Sequence, residues 1–460
     1  MNKKLRKNTG IRTLSAGALL LLTVGLQAQQ IPQNAQQAPQ VHLFSITQAI
    51  DFAAKNSVIV KNALLDYEIQ EQSNRATTSQ ALPQVTGTAG FTQYIQVPVT
   101  PVPGGLFPGT VAGKVYPFPF GVTYNSNAAI TLKQVLFDGQ VFVGLQARRA
   151  ALDFYRKKEE VTEQLLRVNI YKVYYQLLIA RSQMIQVDAN IDNQQAQLHS
   201  ASEMFKNGFA EELDVDKASV QLANLETEKI QLQLGIDNGY LGLKVLMGMP
   251  VRDSLQLTDS LTYDMIRDAT LTDDYKYTDR RDFQLMMINK TLDEYNVKRY
   301  QKQYIPSLNF QATYQQSQYL EHLDLTAPNS WYPASFYSLN LNIPIFDGFY
   351  KDANIRQARL QLRQAENNMD SLRNRIDNDV RASQLQFSSA LATLDFQKKN
   401  VDLAEKVYQQ TRKKFEQGLG SNTEITAAFS DERTAQYNYF NALYSAIVAK
   451  VDYLNAIGKL

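Results

Sequence analysis

The chain has no cysteine. This excludes disulfides, thiol nucleophiles, cysteine-bound metal and the lipid-modified N-terminal cysteine of a bacterial lipoprotein. Histidine is scarce: His42, His199 and His322 lie in separate elements without ligand spacing, so no metal site is expected. No nucleophile elbow, phosphate loop or paired-carboxylate arrangement is present, which leaves no case for an enzyme or for a cofactor. Beyond the N-terminus there is no apolar run of about 18 residues, so no helical membrane span is expected. Insertion into a membrane would have to use a β-barrel.

Charge of one sign is also lacking. Five cations, Lys3, Lys4, Arg6, Lys7 and Arg12, precede the short apolar run Leu14 to Leu26, and Ala28 follows as a cleavage-site residue. This is the pattern of a secretory signal peptide over residues 1–28. Without those five, the 47 Lys and Arg fall to 42 against 45 Asp and Glu, a net of −3. There is no electrostatic case for nucleic acid.

Proline is absent from Gly139 to Lys206, and glycine is absent after Gly144. There Leu166, Ile170, Val173, Leu177, Ala180, Met184, Val187 and Ile191 recur in 4–3 alternation, followed by Gln194 and Leu198. This is a heptad seam on a helix roughly 100 Å long. A matching seam runs through Ile376, Val380, Ser383, Phe387, Ala390, Leu394, Gln397, Val401, Ala404 and Tyr408. The chain is therefore expected to be a tandem duplication.

Alternation of period two marks four strands. Val85, Gly87, Ala89, Phe91, Ile95 and Val97 oppose Gln84, Thr86, Thr88, Thr92 and Gln96, and the pattern returns at 122–136, 308–315 and 337–345. A soluble sandwich with one wet face is the alternative. Polar faces of amides and hydroxyls suit a water-filled lumen better. Segment 98–121 holds six prolines (Pro98, Pro101, Pro103, Pro108, Pro117 and Pro119) and is expected to be neither helix nor paired strand. Segment 317–335 is expected to be a loop holding Trp331.

Each half thus runs helix, strand, loop, strand, long helix, tight turn, helix. The expected divisions are a flexible leader at 29–45, a first repeat at 46–248, a linker at 249–278 and a second repeat at 279–460. The first helix is expected over Ile46–Gln80 with Thr47 as its cap, the helix before the third strand over Asp279–Gln303, and the returning helices over Glu212–Met247 and Asn422–Ile457. In the first half the two shorter helices together match the long one in length, so they are expected to stack end to end along it. Four strands cannot close a membrane barrel, which starts at about eight, so several copies would have to pool them.

The strand-to-helix step Ile343-Pro344-Ile345-Phe346-Asp347-Gly348, echoed by Leu136-Phe137-Asp138-Gly139, resembles the outer-membrane efflux proteins, the TolC-like channels. So do the turns Phe205-Lys206-Asn207-Gly208-Phe209 and Phe415-Glu416-Gln417-Gly418-Leu419 with their return helices. The resemblance implies a homotrimer with a 12-stranded β-barrel in outer-membrane lipid, continued by an α-helical coiled-coil barrel through the periplasm. It implies passive export, with an inner-membrane pump and a periplasmic adaptor as partners. The competing reading is a structural or adhesive surface protein with a coiled-coil stalk, which the duplication disfavours.

The resemblance also assigns sites. Gly208, Phe209, Gly418 and Leu419 would form the tip where the adaptor docks. Glu424 would line the closed aperture, although Ala427 stands where the family carries a second acid. Asp214, Arg412, Lys413 and Lys414 are candidate gating charges, although Gly420 stands at the position of the family's gating arginine. Asp138 and Asp347 are expected to cap the long helices where barrel becomes tunnel.

Overall fold

The computed structural model describes residues 41–119, 121–260, 266 and 274–460. The signal peptide, residues 29–40 of the leader and the middle of the linker lie outside the described residues.

Two helices dominate: α3 (Gly139–Lys206) and α6 (Tyr350–Glu416), 68 and 67 residues long. The Asp138 carboxylate accepts from the backbone N–H groups of Gln140 (2.7 Å) and Val141 (3.3 Å) at the start of α3. Both seams face inward. Leu166, Ile170, Leu177, Val187 and Ile191 are buried on α3, and Ile376, Val380, Phe387, Leu394 and Tyr408 on α6. Burying each such side chain contributes roughly 1.5–3 kcal/mol.

Shorter helices cover these seams in succession. α2 (Val58–Ser79) lies along the first part of α3, where Asn74 Nδ2 donates to the Arg148 carbonyl (2.9 Å). α4 (Glu212–Met247) lies along the last part, where Gln194 Nε2 donates to the Ala218 carbonyl (3.2 Å). In the second half α5 (Arg281–Gln301) pairs with α6 through Lys290 and Glu366 (3.2 Å). α7 (Asn422–Ala456) pairs with α6 further along, where Tyr453 stacks on Phe387.

Where the short helices meet, two glycines are forced. Gly248 ends α4 at φ 70°, and a Cβ there would lie 2.3 Å from the Asn56 carbonyl oxygen. Gly458 follows α7 at φ 74°, and a Cβ there would lie 2.9 Å from the Asp279 carbonyl oxygen. Each return helix thus abuts the start of the helix stacked beyond it.

This junction explains one correction. The helix expected over Ile46–Gln80 is two helices, α1 (Ile46–Asn56) and α2, broken at Ser57. The break lies where Gly248 presses on Asn56. Ser45, not Thr47, caps α1, in a capping box with Gln48. Similarly, α5 is shorter than Asp279–Gln303, because single 3-10 turns at Tyr277–Asp279 and Lys302–Tyr304 flank it.

The last leader residues and the start of the linker form a strand pair that the sequence analysis did not expect. β1 (Val41–Phe44) pairs in parallel with β6 (Ser254–Leu257). Leu255 and Leu257 are buried in a core shared with Ala49, Ile50, Tyr174 and Leu243. Tyr174 OH donates to the Phe44 carbonyl and to Asp259 Oδ2, both at 3.0 Å, which ties the small sheet to α3.

The main sheet is antiparallel, in the order β2 (Gln84–Gln93), β5 (Tyr124–Phe137), β7 (Ser307–Leu320), β8 (Trp331–Asn342). Strands β7 and β8 run further into segment 317–335 than expected, so Trp331 is paired with Gln318. The proline-rich segment is corrected too: β3 (Val99–Pro103) and β4 (Val115–Pro119) form an antiparallel ribbon. Its prolines recur every second residue, with Pro101 opposite Pro117, so the missing N–H groups are those pointing away from the partner. Among the described residues no helix is long and apolar enough to cross a membrane.

Candidate channel-forming site

The register sorts the sheet's side chains onto two faces. One row reads Thr86, Thr131, Thr313 and ends at Phe336 on β8, and Thr131 Oγ1 lies 3.2 Å from Thr313 Oγ1. With Gln84, Asn127, Gln311 and Ser317 it makes a face of hydroxyls and amides. The opposite face carries Val85, Leu132, Ala312 and Tyr337 in one row and Phe91 and Trp331 in another. Counted along β7, this face runs from the row of Leu308 to the row of Phe91 and Trp331, with Gln316 and Gln318 as amides among its apolar residues, about 33 Å at ~3.3 Å per residue. Tilted by about 40°, that gives an apolar band about 25 Å tall, the height of a bilayer-spanning barrel face. Aromatic residues stand towards both ends, Phe310 near the helices and Phe91, Tyr124 and Trp331 at the far end. Among the described residues the two outer strands, β2 and β8, each keep one edge unpaired.

At the near end both long helices begin. Asp138 is the N-cap of α3. Asp347 stands two residues before the N-cap of α6, which is Phe349 at φ 66°. Its Oδ2 accepts from the Lys351 backbone N–H (3.2 Å) and pairs with Lys351 Nζ (3.3 Å). Asp347 therefore supports the first turn of α6 without being its N-cap.

At the far end of the helices lie the two turns. Gly208 (φ 79°) and Gly418 (φ 73°) each close a Schellman motif. Gly208 N–H donates to the Phe205 carbonyl and Phe209 N–H to the Met204 carbonyl. Gly418 and Leu419 do the same towards Phe415 and Lys414. The apolar residue of this motif often folds back on its own helix. Here Phe209 is 85% and Leu419 73% exposed.

The charges near the turns separate. Ser421 caps α7, accepting from the Glu424 N–H (3.2 Å). Among the described residues the exposed Glu424 carboxylate has only Lys414 as an ion-pair partner, at 3.9 Å. Arg412 pairs with Glu416 on its own helix (2.9 Å), not with the other hairpin. Lys413 is exposed. Asp214 accepts from Asn422 Nδ2 (2.8 Å), joining the first hairpin to the second.

Two further ties between hairpins have no counterpart in the sequence analysis. Arg433 pairs with Glu228 at 2.6 Å. Asn190 Nδ2 donates to Gln436 Oε1 (3.0 Å), and Gln436 Nε2 donates to Glu432 Oε1 (3.2 Å). These groups surround or adjoin a cleft of about 610 Å³. Glu432 is 7% exposed, and burial, reinforced by Glu405, pushes its carboxyl up to about 7. The available signal was an acid in the apolar seam of α7, after Ile425, Ala428 and Phe429.

The model of the outer membrane efflux protein family matches residues 49–249 and 279–459. The chain is 24% identical over 345 residues to the alkaline protease secretion protein AprF of Pseudomonas aeruginosa, covering 72% of this chain and 68% of that one. It is 20% identical over 337 residues to the outer membrane protein TolC of Vibrio cholerae, covering 73% and 77%. In fold it is similar to CusC, with a TM-score of 0.73 at 16% identity over 90% of this chain and 92% of that one. It is also similar to the CmeC outer membrane channel of Campylobacter jejuni, with a TM-score of 0.70 at 17% identity over 90% and 85%. The chain belongs to the outer membrane efflux protein family, as an outer-membrane export channel whose helical part stands in the periplasm.

Proposed function

We propose that three copies pool their sheets into one twelve-stranded barrel and their helices into one tunnel, through which cargo leaves the cell without entering lipid. The observation that carries this reading is a four-stranded sheet with one apolar face and two unpaired edges. An unpaired edge is not tolerated in lipid, so each must meet another copy. Each copy contributes its two repeats, 46–248 and 279–460, joined through 249–278. Residues 1–28 are the export signal.

A channel of this family works with a pump and an adaptor. The proposed docking points are Gly208 with Phe209 and Gly418 with Leu419, because their apolar side chains are exposed and not folded back. The proposed aperture residue is Glu424, exposed and only loosely held by Lys414. Three such carboxylates around a threefold axis attract cations and repel anions. Similarity to a protease secretion protein makes polypeptide secretion one candidate task beside small-molecule efflux.

The test is the native mass and conductance of the detergent-extracted protein. A particle of three chains that conducts ions in planar bilayers is the expected result. A stable monomer, or a trimer that passes no current, would overturn it.

A further inference from the structure

The four long strands of the main sheet contain a single charged residue, Lys133. β2, β5, β7 and β8 carry no Asp, Glu, Arg or His and no second Lys. Lys133 lies on the hydroxyl-and-amide face, level with Gln84 on β2 and Gln311 on β7. It stands near the end of β5 that leads into α3, so it marks the level where sheet gives way to helices. It is exposed, and no ion pair holds it among the described residues.

Lys133 opens onto a cleft of about 310 Å³ whose other walls include Gln84, Asn309, Gln311 and Asn340. These amides are neutral, and three have donors already engaged. Gln84 Nε2 donates to the Ser79 carbonyl (2.7 Å), Gln311 Nε2 to Thr313 Oγ1 (3.4 Å), and Asn340 Nδ2 to Ser338 Oγ (3.2 Å). Among the described residues no carboxylate lines the cleft, and Lys133 is its one charged group. The Lys133 ammonium is therefore the group that would attract an anion there by charge.

We propose that Lys133 forms a cationic collar at the base of the barrel, which favours cargo carrying carboxylate or phosphate groups. The collar rests on the trimeric duct, since three copies are what bring three ammonium groups into one ring. Geometry decides how far their charge reaches. Twelve strands at ~4.8 Å spacing and about 40° tilt give a backbone radius of roughly 12 Å. A lysine extends about 6 Å inward, so the remaining aqueous radius is below the ~10 Å Debye length at 0.1 M salt. Every solute crossing this level feels the ring. The acids proposed at Glu424 act at the opposite end of the tunnel. An anionic solute driven past them would then meet a field of the favourable sign.

The experiment measures reversal potentials of the full-length trimer in planar bilayers under a KCl gradient, in a Glu424→Gln background so that the tip acids do not mask the collar. Lys133→Glu should raise the K⁺/Cl⁻ permeability ratio roughly threefold, Lys133→Gln by less, and Lys133→Arg should leave it unchanged. Inorganic phosphate added from the barrel side should reduce chloride current with Lys or Arg at this position and not with Glu. A conducting Lys133→Glu trimer with an unmoved reversal potential overturns the collar alone. A parent channel that passes no current overturns the duct reading, and the collar with it.

Discussion

At the scale of single residues, Glu432 is the position where chemistry and packing conflict most. It takes a seam position on α7 and is buried, and Gln436 donates to it. Its folded value of about 7 lies above the ordinary 4.5, so the folded chain holds this proton more tightly than the unfolded chain. The contribution to stability is therefore complete below about pH 4.5, shrinks as pH rises towards about 7, and stays lost above that. Its size is about 3 kcal/mol per chain. Glu432→Gln should remove this slope, and its denaturation midpoint should exceed that of the parent at about pH 8 and not at about pH 5. A variant that keeps the parent's slope would show that Glu432 is solvated. Glycines offer a second contrast. Gly248→Ala combines left-handed backbone strain with a clash against the Asn56 carbonyl, and should cost about 3 kcal/mol or more. Gly418→Ala meets nothing within 4 Å and should cost only the strain, about 1–2 kcal/mol. Equal losses in chemical denaturation would mean that the helix junction is loose.

At the scale of elements, what was legible followed from repetition. The seam of α3 repeats through most of a 68-residue helix, and the bounds Gly139–Lys206 and Glu212–Met247 agree with the sequence analysis. Local chemistry marks those ends: Asp138 accepts two N–H groups, and Gly208 and Gly248 adopt positive φ. Elements set by distant partners were not legible. β1 and β6 are four residues each, too short for periodicity to show, and exist because they pair with each other across the chain. The break at Ser57 answers to Gly248. The β3–β4 ribbon escaped because proline argues against a strand only where both edges are paired, and each of these strands has one paired edge. Phe349 is a different case. A bulky residue at φ 66° occupies a conformation that glycine adopts freely. No pattern in this chain identified the backbone there as left-handed.

At the scale of the whole molecule, the candidate site divides in the same way. The sheet faces and tip glycines were legible, because alternation and turn chemistry are local. The ties between hairpins were not, because they join residues 205 to 246 positions apart. Besides the buried pair Asn190 with Gln436, a movement of the second hairpin away from the first would break two ties, Arg433 with Glu228 and Asn422 with Asp214. Each is partly exposed and worth only about 0.5–1 kcal/mol. Two ties in each of three copies, broken together, amount to roughly 3–6 kcal/mol, enough to hold a two-state opening largely on the closed side. By contrast, Arg412 pairs with Glu416 one turn away on its own helix, and that pair survives any rigid movement of the hairpin. The double variant Asp214→Ala/Arg433→Gln should therefore raise the open probability in planar bilayers by about tenfold or more, and should let large antibiotics leak into cells. Arg412→Gln should change neither. If the double variant opens no more often than the parent, the two hairpins move as one body, and opening must be sought at the contacts between copies.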